Sequence, residues 1–116
     1  YRRGRWYLPR DMLRAEGLDS PDVHHAGQRA ALGRVVRSVA ATAEGYYREA
    51  NAGLDAFAPD CRVAIRACID VYGMLNARIL NSRDVLGRRE SVPLRAKLRP
   101  LPVSKYWRIP AAYLAP

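Results

Sequence analysis

Apolar residues recur at steps of three and four along two long stretches of the chain, the pattern of helices that each bury one stripe. The first stretch runs through Leu32, Val35, Val36, Val39, Ala43, Tyr46, Tyr47, Ala50, Leu54 and Phe57 and predicts a long helix over 25–57. Charged residues, among them Arg29, Arg34, Arg37, Arg48 and Glu49, fill the other positions. Ala58-Pro59-Asp60 interrupts the period and allows a tight antiparallel return. The second stretch, Cys61, Ala64, Ile65, Cys68, Ile69, Tyr72, Leu75, Ile79 and Leu80, predicts an inward face on a helix over 60–86 that Gly87 ends. Arg66 and Asp70 stand at i,i+4 on that helix, a spacing worth about 0.3 kcal/mol when the pair forms.

The flanks are shorter and more irregular. Residues 1–24 read as a basic, aromatic leading segment and a short helix, Arg10–Glu16, entered at Pro9 and stopped by Gly17. Gly17, Asp19, Ser20, Pro21 and Asp22 then make a turn-rich linker, where Asp and Ser serve capping and Asx turns. Residues 87–116 hold a basic segment, a short helical turn at 94–99 and a tail in which Pro100, Pro102, Pro110 and Pro116 preclude a long helix. No stretch alternates in the manner of a strand, so the fold class is all-α. Two amphipathic helices cannot bury both stripes against each other alone. Further helices are therefore expected to complete a bundle. At 116 residues the chain is one small domain or a piece of a larger one, and a start at Tyr1 without Met reads as a fragment.

Charge changes the picture only in part. The formal net charge is +9, and Lys97 and Lys105 are the only lysines, so the field is built from arginine. Nucleic acid, anionic lipid and small phosphorylated substrates all suit such a field. Nucleic acid is disfavoured, because no helix-turn-helix turn is present and the arginines spread around the helices. A peripheral membrane contact stays open, although no apolar run approaches the roughly 20 residues needed to cross a bilayer. Cys61 and Cys68 lie about 10 Å apart along one helix at 1.5 Å per residue, too far to pair, and unpaired thiols point to a reducing cytoplasm. No nucleophilic triad, zinc spacing or glycine-rich phosphate loop is visible. Tyr72 stands mid-stripe, where a buried hydroxyl needs a partner, and Arg89 follows just past the end of the same helix.

An ordered series of short motifs resembles the squalene/phytoene synthase family. Gly4-Arg5-Trp6-Tyr7-Leu8-Pro9 is similar to that family's Gly-Arg-x-Tyr-Leu-Pro segment. Tyr47-x-x-Ala50-x-x-Gly53-Leu54, Arg62-x-Ala64-Ile65, Tyr72, Asp84-Val85-x-x-x-Arg88-Arg89 and Lys97-Leu98 then follow in the family's order. Each piece alone is weak; the ordered set is specific, and it covers the chain to about residue 100. The Leu-Pro pair favours the phytoene branch, with a bacterial squalene or hydroxysqualene synthase, or a catalytically silent scaffold, as alternatives.

The resemblance implies the C-terminal helices of an isoprenoid-synthase-type bundle around an apolar cavity. There two prenyl diphosphates join head to head through a cyclopropyl intermediate. It places Arg5, Tyr72 and Arg89 on substrate diphosphate, and Cys68, Leu75 and Ile79 on the prenyl cavity wall. It also implies Mg2+ held by two aspartate-rich motifs, which in the family precede the Gly-Arg-x-Tyr-Leu-Pro segment. Asp55, Asp60, Asp70 and Asp84 form no metal-binding spacing, so neither a metal ligand nor a catalytic residue is assigned within this chain. The expected partners are a prenyl diphosphate and the remaining helices of the enzyme. The chain by itself is expected to be inactive.

Overall fold

The computed structural model describes residues 7–102, and they contain helices and loops with no strand. Helix α1 spans Arg10–Ala15, α2 Ala26–Ala52, α3 Pro59–Asn81 and α4 Leu94–Leu98, with a 3-10 turn at Leu54–Ala56 between α2 and α3. The all-α expectation holds. α2 and α3 form an antiparallel hairpin, and α1 and α4 pack as short elements on α2 and α3 respectively.

Local chemistry explains the boundaries. Pro9 precedes α1, and Gly17 follows it at φ 71, a left-handed conformation that glycine adopts without a Cβ clash. Pro59 occupies the first turn of α3, where its missing N–H costs nothing. Arg62 closes the hairpin: its Nε donates to the Phe57 carbonyl at 2.7 Å and its Nη2 to the Asp55 carbonyl at 2.7 Å, while Nη1 pairs with the Asp55 carboxylate. These bonds occupy carbonyls of the connecting turn that no helix uses.

Two predicted helix ends shift. The first long helix ends at Ala52 and tightens into the 3-10 turn, with Gly53 N–H donating to the Glu49 carbonyl at 2.9 Å. α3 stops at Asn81, five residues before the predicted end, where Asn81 Nδ2 turns back to the Ala77 carbonyl at 2.7 Å and Ser82 is extended. Asp84 is the physical reason. Its Oδ1 accepts from the Gly87 N–H at 2.9 Å and from Arg29 Nη2 at 2.8 Å, a side-chain alternative to the helical ladder. A Cβ at position 87 would collide with that carboxylate, so Gly87 serves this turn rather than a helix end. The predicted Arg66–Asp70 pair does not form among the described residues, in keeping with how little such an exposed pair gains.

The core is small and one-sided. Leu13 and Leu18 pack on Ala31, Leu32 and Val35, with Leu8, Met12, Val23 and Leu86 around them. Leu32 is fully buried. An Arg34–Glu16 ion pair of 2.6 Å fastens α1 to α2 beside this cluster. Further along the hairpin, Asn76 is buried, and its Nδ2 donates to the Ala40 carbonyl at 2.9 Å and to Glu44 Oε2 at 3.0 Å. Arg78 pairs with Glu90 at 3.5 Å and ties the end of α3 to the segment before α4.

Candidate functional site

The periodic stripe read as the inward face of the second helix divides in two. Asn76 and half-buried Ile65, Ile69 and Leu80 lie on the side toward α2. Cys61, Ala64, Cys68 and Tyr72 are exposed, and half-buried Leu75 and Ile79 continue their line. The spacing of three and four keeps these six on one strip, roughly 27 Å long at 1.5 Å per residue. The expectation that Cys61, Ala64, Cys68 and Tyr72 point inward is therefore corrected. Among the described residues no element covers that strip, and α2 is engaged by the adjacent face. Tyr46, Phe57 and Val63 add further exposed apolar surface.

Tyr72 sits on the strip with 55% of its surface exposed. Its hydroxyl has no protein partner among the described residues. Water satisfies an exposed hydroxyl, and a ligand oxygen can take the place of that water. Arg89 is exposed in the segment that joins α3 to α4 and makes no ion pair among the described residues. Arg5 lies outside the described residues. Cys68 is one turn before Tyr72 on the strip, and both cysteines are free thiols.

Two cavities lie elsewhere. One of about 520 Å³ is lined by Leu8, Arg10, Leu13, Arg14 and the 18–21 turn. The other, of about 190 Å³, lies between α2 and the 82–86 loop and includes Arg29, Arg37, Arg83 and Asp84. Neither includes Tyr72, Arg89, Cys68, Leu75 or Ile79. The structure thus gathers Cys68, Tyr72, Leu75 and Ile79 on one strip but does not join Arg89 to them in either cavity.

Among the described residues, Arg29–Asp84, Arg34–Glu16, Arg62–Asp55 and Arg78–Glu90 form ion pairs. The Arg34 guanidinium holds the Glu16 carboxyl below its ordinary range, chiefly by hydrogen bonding. Glu16 in turn raises the Arg34 guanidinium, again chiefly by hydrogen bonding. Among the described residues no group of three or more His, Cys, Asp or Glu is arranged to hold a metal ion. Asp84, Glu16, Asp55 and Glu90 already face arginine, and Glu44 accepts from Asn76. These carboxylates do not fit a Mg2+ site. No described helix is long and apolar enough to cross a membrane.

The periodic reading missed Asn76, Arg62 and the Arg29–Asp84 latch. Asn76 falls on the helical stripe four residues after Tyr72, so a polar residue in an apolar row was the available signal. The two arginines offered none, since their partners are backbone carbonyls and a carboxylate 55 positions away.

A sequence profile described as squalene/phytoene synthase matches residues 1–99. The chain belongs to the squalene/phytoene synthase family. It is 37% identical over 79 residues to a 15-cis-phytoene synthase of Enterobacter agglomerans, covering 68% of this chain and 27% of that protein. A phytoene synthase of Pseudescherichia vulneris is 35% identical over 75 residues, 65% of this chain and 24% of the relative. A 15-cis-phytoene synthase of Pantoea ananas is 34% identical over 76 residues, 66% and 25% of the two chains. The chain spans about a quarter of the length of these curated relatives. No solved structure matches it. Membership of the family agrees with the ordered motifs from Gly4 to Lys97, and the helical architecture agrees with both.

Proposed function

We propose that this segment forms the diphosphate-facing and prenyl-facing wall of a phytoene-type synthase that joins two geranylgeranyl diphosphates head to head. The observation that carries the reading is the uncovered apolar strip of α3 with the unpartnered hydroxyl of Tyr72 upon it. The names of the relatives support the same reaction.

On this reading an isoprenoid tail lies along Cys68, Leu75 and Ile79, driven there by removal of apolar surface from water. The Tyr72 hydroxyl donates to a diphosphate oxygen at one place on the strip. Arg89 supplies a planar fork of donors to the same group, and Arg5 does so from the leading segment. Such donors act on charge that develops as the carbon–oxygen bond to diphosphate breaks. The remaining helices of the enzyme close the cavity over the strip. Any Mg2+ is held by carboxylates other than those described, and no step is assigned to it.

The test uses the full-length enzyme that contains this segment. Tyr72→Phe and Arg89→Ala are each expected to lower kcat/KM for the prenyl diphosphate about tenfold to a hundredfold, the range for losing one hydrogen bond to a charged group. Phytoene is the expected product with geranylgeranyl diphosphate. Accumulation of squalene from the shorter farnesyl substrate would place the enzyme on the other branch. No condensation product from intact full-length enzyme would favour a silent scaffold and defeat the reading.

A further inference from the structure

The cavity between α2 and the 82–86 loop has chemistry that neither the packing nor the proposed substrate wall uses. Its lining brings Arg29, Arg37 and Arg83 together with one carboxylate, Asp84, beside the small residues Ala30 and Gly33. Two positive charges are left uncompensated. Arg29 directs Nη1 to the Val23 carbonyl at 3.1 Å and Nη2 to Asp84 at 2.8 Å. Arg37 gives Nη2 to the Ser82 carbonyl at 3.2 Å. Arg83 is exposed and has no partner among the described residues. Each guanidinium carries five donors, so several N–H groups at this cavity remain without an acceptor.

The floor fits this arrangement. Gly33 is buried, and a Cβ there would sit 3.4 Å from Arg37 Nη1 and 3.8 Å from the Val85 side chain. The absence of a side chain at position 33 leaves the Arg37 guanidinium room against the α2 backbone. The volume, about 190 Å³, is below the roughly 300–1,000 Å³ of sites for drug-sized ligands. It suits a small ion.

We propose that this cavity is a binding site for a phosphate-type oxyanion, held by Arg37 and Arg83 with Arg29 fixed behind them by Asp84. Guanidinium forks match phosphate oxygens, and an anion among three of them offsets their mutual repulsion. The bound anion bridges α2 to the loop that leads on to Arg89, and so tightens that loop. This inference is independent of the substrate wall, since neither Tyr72 nor Arg89 lines the cavity. The phosphate group comes either from solution or from a lipid headgroup.

Isothermal titration of the chain with inorganic phosphate, at constant ionic strength against chloride, tests the site. Saturable binding is expected, weakened about tenfold in Arg83→Ala and in Arg37→Gln, as the loss of a charge-assisted bond implies. Arg48→Ala, at an exposed position of α2 outside the cavity, should bind as the wild type does. Circular dichroism checks the fold of each variant, and Arg83→Ala decides alone if Arg37→Gln unfolds, because Arg83 is exposed. A second arm measures sedimentation with vesicles of phosphatidylglycerol in phosphatidylcholine against phosphatidylcholine alone. Saturable phosphate binding with inert vesicles assigns a free ion; vesicle binding lost in Arg83→Ala assigns a headgroup. Absence of binding in both arms, or binding that survives Arg83→Ala undiminished, overturns the proposal and leaves Arg29 and Arg37 as latches between helix and loop.

Discussion

A buried amide costs free energy unless its donors find acceptors. Asn76 meets that condition across the hairpin, with Nδ2 shared between the Ala40 carbonyl and Glu44 Oε2. The same two bonds fix which turn of α3 stands against which turn of α2, and Tyr72 lies one turn away on the same helix. Asn76→Ala removes both bonds and opens a small void, and a loss of about 1–3 kcal/mol is expected. Thermal or urea unfolding of the variant measures it; a change under about 0.5 kcal/mol, the level of an ordinary surface substitution, would show that the amide does not hold the register. The residue was legible as a polar break in an apolar row, but its partners were not. Helical spacing reports which side of a helix a residue occupies and says nothing of what stands opposite. For the same reason Tyr72 was read as buried: the period that placed it beside Cys68 is real, but no described element covers it.

At the scale of elements, the long periodic stretches were legible within a few residues, and the ends were legible where proline or glycine acts locally. Pro9, Gly17 and Pro59 all sit where their backbone limits require. The end of α3 escaped because Asp84, Arg29 and Gly87 settle it together across 55 positions. The α1–α2 junction rests on a comparable long-range pair, and it predicts a pH dependence. Glu16 has its folded pKa lowered by the Arg34 hydrogen bond. A carboxylate with a depressed folded pKa contributes stability above its unfolded value, and that contribution is lost as pH falls through the folded value. The pair keeps 59% and 29% side-chain exposure at Arg34 and Glu16, so solvent screens it and the effect is modest. Wild type is therefore expected to melt above Glu16→Gln at neutral pH, with the gap closing as pH falls below the ordinary carboxylate value of 4.5. Melting curves from pH 2 to 7 check this, and a gap that stays constant with pH would remove the ion pair from the account.

At the scale of the whole molecule, the described residues form an open arrangement rather than an enclosed one. Its radius of gyration is 18.2 Å, against about 13 Å for a compact chain of ~100 residues. The buried cluster gathers at the α1–α2 end, while the strip from Cys61 to Ile79 faces solvent. The ordered motifs made the family legible because they are local, each only a few residues long. The site was less legible, because a site is assembled between elements, and on the proposed reading the described ones supply only a wall. Condensation of prenyl diphosphates needs two tails shielded from water and a strong countercharge for the departing diphosphate. The strip from Cys61 to Ile79 is open to solvent on its outer side, and the described carboxylates are turned to arginines or stand apart rather than gathered about a metal. The 116-residue chain on its own is therefore expected to give no phytoene when incubated with geranylgeranyl diphosphate and Mg2+. Diphosphate release, followed with a phosphate-detecting coupled assay, should match the rate without protein. Turnover by the pure chain would mean that the wall assembles a closed site by itself, and self-association that covers the α3 strip would then be the first thing to measure.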